Sequence, residues 1–308
     1  MDIIKNIAII FMSIFFEALP FLLLGSLISA SIETFISDEK LANLIPKNPI
    51  LGSIIGVFLG FFIPACDCAV IPVSKRLIKK RVPINVAISF MLASPIINPV
   101  VLLSTYYAFY RTNSNIFWLR IILGIIISLA IGIIMGIFFN NKKVITNNTD
   151  DNHCHHCECN HDHHHHHKST KNNILNIFKH TAYDMFDVVK YLMFGAIIAS
   201  LTQVLLPRSI LMIFNNSNIL SIIILMLFAY LISLCSTSDS FIGKSLLSSF
   251  TEAGIIAYLL LGPMIDIKNT IVLLGNYKKC FVISLISLIF ILIFLTSLLV
   301  VIIIWKDS

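Results

Sequence analysis

Two cysteines flank one aspartate at Cys66-Asp67-Cys68, just past a glycine-rich apolar stretch and before a basic run from Lys75 to Arg81. Thiolates two residues apart can both face one soft cation, and sulfur ligands select zinc, copper(I) and other thiophiles over hard ions. The second half of the chain carries a degraded copy, Cys235-Ser-Thr-Ser-Asp239, so Cys235 offers a third sulfur if the two stretches meet. The competing reading is that small cysteines simply pack as apolar groups. It loses weight when two such sites occupy matching positions. The basic run reads as a topology anchor or a lipid-phosphate contact rather than a substrate site.

Ionisable residues inside apolar spans cost about 2.5–3.5 kcal/mol each on insertion scales and mark pathways by default. Glu17, Asp67, Asp187, Lys190, Asp239, Lys244 and Asp266 are of this kind, and Asn98 is the neutral counterpart of Asp266. Glu17 and Asp187 stand at equivalent places in the two halves. Asp187 also precedes Lys190 by three residues, where one helical turn would pair them. The expected substrate pathway comprises Cys66, Asp67, Cys68, Cys235, Asp239, Asn98, Asp266, Glu17 and Asp187. No catalytic residues are expected: the chain holds neither HExxH nor GxSxG, and no Walker A sequence that would drive transport by nucleotide hydrolysis. Proton uptake by carboxylates as cargo leaves is the expected driving step.

A second metal chemistry lies in a hydrophilic tract between the halves. His153, Cys154, His155, His156, Cys157, Cys159, His161, His163, His164, His165, His166 and His167 include nine of the ten histidines and three of the seven cysteines. Imidazole and thiolate at this density bind Zn(II), Ni(II) or Cu in almost any geometry. No single tetrahedral set stands out, so a buffer, a capture tract and a sensor all fit. Bound Zn or Cu is expected there, and no resident cofactor is required elsewhere.

The elements that must position these groups are membrane helices. Of 308 residues 57% are apolar and 12% charged, where a soluble domain carries about a quarter charged. The chain therefore reads as an all-α, multi-pass protein whose solvent is the lipid bilayer. Its net charge of +6 concerns topology and implies no nucleic-acid partner. About eight spans of roughly 20 residues are expected: 7–36, 50–64, 83–110, 116–139, 182–206, 219–234, 253–274 and 280–305. The first carries Pro20 and should tilt or kink. The third is expected to break at Ser94-Pro95 and Asn98-Pro99, the seventh at Gly262-Pro263. Backbone groups freed at such breaks must be satisfied by protein or by a water-lined cavity.

The halves echo one another. Phe16-Glu17 through Gly25 matches Phe186-Asp187 through Gly195 at an offset of 170, Cys66 matches Cys235 at 169, and Pro95 and Asn98 match Pro263 and Asp266 at 168. The expected organisation is a first transmembrane repeat over 1–140, a His/Cys-rich linker over 141–180 and a second repeat over 181–308. Paired broken spans of this kind point to a substrate site near the bilayer midplane. Lys and Arg are in excess on the loops that a cytoplasmic N-terminus places inside. The basic bias nonetheless swaps sides between the copies, as in inverted repeats. Inversion needs an odd number of crossings per copy, which re-entrant hairpins at the broken spans, or a long first segment in two pieces, would supply.

The four stretches Cys66-Asp-Cys-Ala-Val-Ile-Pro72, Leu92-Ala-Ser-Pro-Ile-Ile-Asn-Pro99, Cys235-Ser-Thr-Ser-Asp239 and Gly262-Pro-Met-Ile-Asp-Ile-Lys-Asn269 resemble, in this order, the bacterial predicted-permease family. That family includes trivalent organoarsenical efflux permeases and a copper/zinc efflux branch. The resemblance covers nearly the whole chain except the His/Cys tract, which is itself similar to what the copper/zinc branch carries. It implies a multi-pass permease of the bacterial plasma membrane, and the His/Cys tract points to a thiophilic metal cation (Zn, Cu) or an organometalloid as the exported cargo. A permease for an unrelated small solute, with the tract as a metal buffer, and an intramembrane metal-dependent enzyme are the alternatives.

Overall fold

A computed structural model describes residues 2–35, 48–63, 66–111, 114–139, 144–145, 170–205 and 218–307. Among these residues the secondary structure is helical, apart from one isolated antiparallel bridge between Ile145 and Tyr277. The first half contributes α1 (Asp2–Phe35), α2 (Pro49–Phe62), α3 (Asp67–Lys79), α4 (Ile84–Ile97), α5 (Pro99–Phe109) and α6 (Ser114–Phe139). The second contributes α7 (Thr170–Leu205), α8 (Asn218–Ile232), α9 (Ser236–Leu246), α10 (Glu252–Met264), α11 (Ile267–Asn276) and α12 (Lys279–Asp307). Each half thus runs long, short, short, two short helices end to end, and long. The His/Cys tract lies outside the described residues, and α7 already begins at Thr170, inside the stretch expected to be linker.

Six stretches of the described residues are long and apolar enough to cross a membrane: 3–28, 84–109, 114–139, 188–205, 252–276 and 279–302. The expected eight are not reached, because α2 and α8 have only 14 and 15 residues. At a rise of 1.5 Å per residue they extend about 21–23 Å, short of a core of roughly 30 Å. Pro20 does not end α1, which runs on through it.

The third span breaks at Asn98-Pro99, one of its two expected places, and the seventh breaks after Met264 rather than at Gly262-Pro263. Pro95 and Pro263 sit in the last turns of α4 and α10, whose helices end at Ile97 and Met264. The missing proline N–H removes one bond of the final turn, and the chain leaves the helix two residues or fewer later. Asn98 then caps α5, its side chain accepting from Val100 N at 3.0 Å. Asp266 caps α11 in the same manner, accepting from Asn269 N at 2.6 Å.

Every residue of α4 is buried, and so is α10 from Ala253 to Met264. These two helices pack against each other at the centre of the bundle. α2 lies on α4 through a glycine face: a Cβ at Gly60 would stand 2.9 Å from Ser94 N, so only glycine permits that approach. Many large apolar side chains face outward, among them Phe16, Phe58, Phe62, Ile137, Phe138, Ile291 and Leu299. An apolar exterior around a core that includes polar residues is the arrangement lipid requires.

Candidate substrate cavity

The short helices α3, α9 and α11 bring their N-termini to one place. Cys66 is the N-cap of α3 and Cys235 that of α9, and neither side chain makes a capping hydrogen bond. The first N–H groups of a helix have no intrahelical partner and carry a partial positive charge. Both ends therefore present donors as well as sulfur. Gly25 of α1 lets α3 close in, since a Cβ there would lie 2.8 Å from Ala69 Cβ. Gly195 of α7 does the same for α11, with a Cβ 3.0 Å from Lys268 Cα.

A cavity of about 220 Å³ opens where they meet. Cys66, Asp67 and Cys68 border it from α3, Cys235 with Ser233 and Leu234 from the link between α8 and α9, and Lys268 from α11. α1 closes another side with Ile9, Ile10, Ser13, Ile14, Glu17, Ala18 and Phe21, and Gln203 of α7 completes the lining. One water needs only about 15 Å³, so the space suits a hydrated ion or a small adduct better than a bare ion. The ligand atoms of Cys66, Asp67 and Cys68 all lie within 4.8 Å of one another, a two-sulfur, one-oxygen set able to hold a soft cation.

Charge is arranged beside the sulfurs. Lys268 Nζ lies 3.2 Å from Asp67 Oδ2 and 3.5 Å from Asp266 Oδ2, and all three side chains are buried. Asn269 Nδ2 donates to Asp67 Oδ2 at 2.9 Å. At the other end of the same helix pair the Ser74 and Tyr277 hydroxyls share a hydrogen bond of 2.9 Å, and Lys75 Nζ donates to Asn276 Oδ1 at 2.9 Å. α3 and α11 are thus tied at both ends. Ser233 adopts a left-handed backbone, φ 54°, unusual for a residue with a side chain. Its hydroxyl is buried beside the Asp266 carboxylate.

Of the residues expected from sequence, Glu17, Cys66, Asp67, Cys68 and Cys235 share the cavity, and Asp266 reaches it through Lys268. Asn98 acts as a helix cap. Asp239 sits apart from the lining, accepting from Tyr258 OH at 2.9 Å within a buried cluster around Arg120. Asp187 lies on α7, and its side chain is outside the described residues. Lys268, Asn269, Ser233, Gln203 and Arg120 were not anticipated. The rule that flags charged residues within spans applies equally to Lys268 and Arg120 and would have found both. Nothing in the local sequence announces Ser233.

The family described as predicted permease matches residues 3–302 of the chain. A Bacillus subtilis (strain 168) protein, UPF0718 protein YcgR, is 38% identical over 291 residues, which cover 94% of this chain and 95% of that one. A protein of Streptococcus mutans serotype c (strain ATCC 700610 / UA159), named "Putative two-component membrane permease complex subunit", is 36% identical over 275 residues, 89% of this chain and 88% of that one. No solved structure matches.

Proposed function

The chain belongs to this predicted-permease family, and on that premise we propose that it is a secondary transporter that exports a thiophilic metal cation, Zn or Cu, or an organometalloid. Membership speaks for transport rather than catalysis, and for a multi-pass protein of the bacterial plasma membrane. One observation carries the choice of cargo: Cys66, Asp67 and Cys68 of the first half and Cys235 of the second border one cavity. Soft ligands gathered from both halves suit a cargo that prefers sulfur.

The halves are read here as two repeats of opposite orientation. Each has three stretches that can cross the membrane and one pair of short helices, α2 with α3 or α8 with α9, read as entering and leaving on one side. Three crossings invert the second copy relative to the first. The cavity then sits at the repeat interface, where half-helix ends meet, as in other transporters with discontinuous helices. By likeness to the Streptococcus mutans relative alone, a second subunit belongs to the proposal.

The Lys268 ammonium favours a second reading, a permease for a small anionic or neutral solute with the His/Cys tract as a metal buffer. Inside-out vesicles containing the chain separate the two. Uptake of Zn²⁺, Cd²⁺ or an organometalloid above empty vesicles supports the first reading. Vesicles that take up none of these overturn it. Deleting His153–His167 is expected to slow uptake at limiting metal and leave it intact at saturating metal, because a tethered tract raises the local concentration without forming the pathway.

A further inference from the structure

We propose that Lys268 is a tethered cation: it neutralises the cargo's carboxylate in the empty carrier and moves onto Asp266 when cargo binds. The inference rests on the reading of the cavity as a soft-cation site. Lys268 Nζ stands between two buried carboxylates, 3.2 Å from Asp67 and 3.5 Å from Asp266. Asp67 also supplies the only oxygen of the ligand set with Cys66 and Cys68. A metal cation entering that set meets an ammonium on the same carboxylate. Two positive charges a few ångströms apart in a protein interior repel strongly and escape the screening that salt gives surface charges. Either the cargo stays out or the lysine leaves.

The structure provides somewhere for it to go. Asp266 Oδ1 is engaged by the Asn269 N–H at 2.6 Å, while Asp266 Oδ2 already lies 3.5 Å from Lys268 Nζ, so a short pivot completes that pair. A lysine ends in a compact charge on a flexible four-carbon stem, so the ammonium can pivot while its backbone stays put. The backbone is held: Gly195 of α7 packs directly on it, and Asp266 caps the helix that carries it. The movement is therefore confined to one side chain.

The Cys66 and Cys68 thiols give up their protons to water in the cavity as the metal binds and regain them as it leaves, and the remaining charges are matched in both states. Empty, two carboxylates share one ammonium. Loaded, Asp67 belongs to the cargo and Asp266 to the lysine. When cargo leaves, Lys268 returns, and the emptied site never holds a bare buried carboxylate, the arrangement most costly to folding. The lysine thus weakens cargo binding and eases release.

The test uses the full-length chain in lipid nanodiscs with free Cd²⁺ fixed by a chelator. The readout is protection of Cys66 from maleimide alkylation, measured for that cysteine alone by mass spectrometry, so metal held by the His/Cys tract does not register. Lys268→Gln is expected to shift the protection midpoint to roughly tenfold lower Cd²⁺ or beyond, since an adjacent like charge in the interior is worth at least one factor of ten. Asp266→Asn, which removes the alternative seat and pins the lysine on Asp67, is expected to shift it the opposite way. The double variant Lys268→Gln/Asp266→Asn keeps the cluster's net charge and is expected to follow the lysine variant. In vesicles the lysine variant should bind tighter and turn over more slowly. Midpoints that stay at wild type or rise in both lysine variants overturn the inference. A wild-type Cys66 that Cd²⁺ never protects overturns the soft-cation reading, and this inference with it.

Discussion

Where α3 of the first half lies against α11 of the second, cysteines, carboxylates and an ammonium border an open cavity. Where α9 of the second half lies against α5 of the first, a guanidinium from α6 fills the interior. Arg120 Nη1 donates to Thr105 Oγ1 at 2.6 Å and to Ser240 Oγ at 2.7 Å, and Nη2 to the Ser236 carbonyl at 3.4 Å. Asp239 and Tyr258 join the same cluster, and Gly262 leaves room for the Asp239 carboxylate. Under the proposed repeat these are the same helix pairing met twice. At the offsets read from the sequence, Ser236 and Thr237 replace Asp67 and Cys68, and Val100 replaces Lys268. Under that proposal one framework supplies two candidate sites, and side-chain divergence leaves one open and locks the other.

The largest expected effect falls on the open site. Cys66→Ser with Cys68→Ser is expected to reduce metal uptake by inside-out vesicles to the level of empty ones, because oxygen replaces sulfur at nearly constant volume. Thr237→Ala, at the place of Cys68 in the other copy, is expected to leave uptake unchanged. Full uptake by the double serine variant would show that these sulfurs only pack.

Next comes the locked site. Arg120→Met removes the one cation from a buried polar network, and leaving the remaining polar groups and Asp239 uncompensated destabilises by about 3–5 kcal/mol. Thermal unfolding followed by a thiol-reactive dye should show a markedly lower midpoint. At low temperature the Cd²⁺ concentration that protects Cys66 should match wild type. A variant that melts normally but no longer transports would make the Arg120 cluster a second working site and break the contrast.

Much of this contrast was legible before any coordinates. The paired motifs singled out Cys66 and Cys235, which both cap short helices that border one cavity, and Asn98 and Asp266, which both cap the second part of a broken span. Composition gave the membrane. What stayed hidden follows from the same physics. Asn98-Pro99 was one of the expected breaks and is where the third span parts, while Pro95 and Pro263 lie two or three residues before the caps that end their helices. The α2 and α8 segments read as spans because apolar composition does not reveal that a helix stops short. Asp239 looked equivalent to Asp67 by type, yet it stands three residues further from its cysteine. On a helix that carries it nearly one turn, about 4.5 Å, further along the axis, where it meets Tyr258.

A smaller effect is expected at the cavity wall. Glu17 of α1 borders the cavity but belongs to neither the sulfur set nor the lysine triad. Its replacement by Gln is expected to lower vesicle uptake about fivefold, the scale of one peripheral charge worth near 1 kcal/mol. Uptake equal to wild type would place Glu17 outside the route.

The smallest effect separates the two breaks themselves. Asn98 and Asp266 hold the same cap, to Val100 N at 3.0 Å and to Asn269 N at 2.6 Å. Only Asp266 has a lysine beside it; the residue in that place after Asn98 is Val100. Asn98→Ala should therefore lose a helix cap and nothing else, a cost of about 1 kcal/mol in stability. The Cd²⁺ midpoint for Cys66 protection should not move, whereas Asp266→Asn keeps a capping side chain and should move it. Stability and affinity then respond to different breaks: a neutral cap in one copy serves the fold, and a charged cap in the other serves the cargo. If Asn98→Ala shifts the midpoint as far as Asp266→Asn does, the two breaks act as one unit, and the first copy contributes to binding through more than its cysteines.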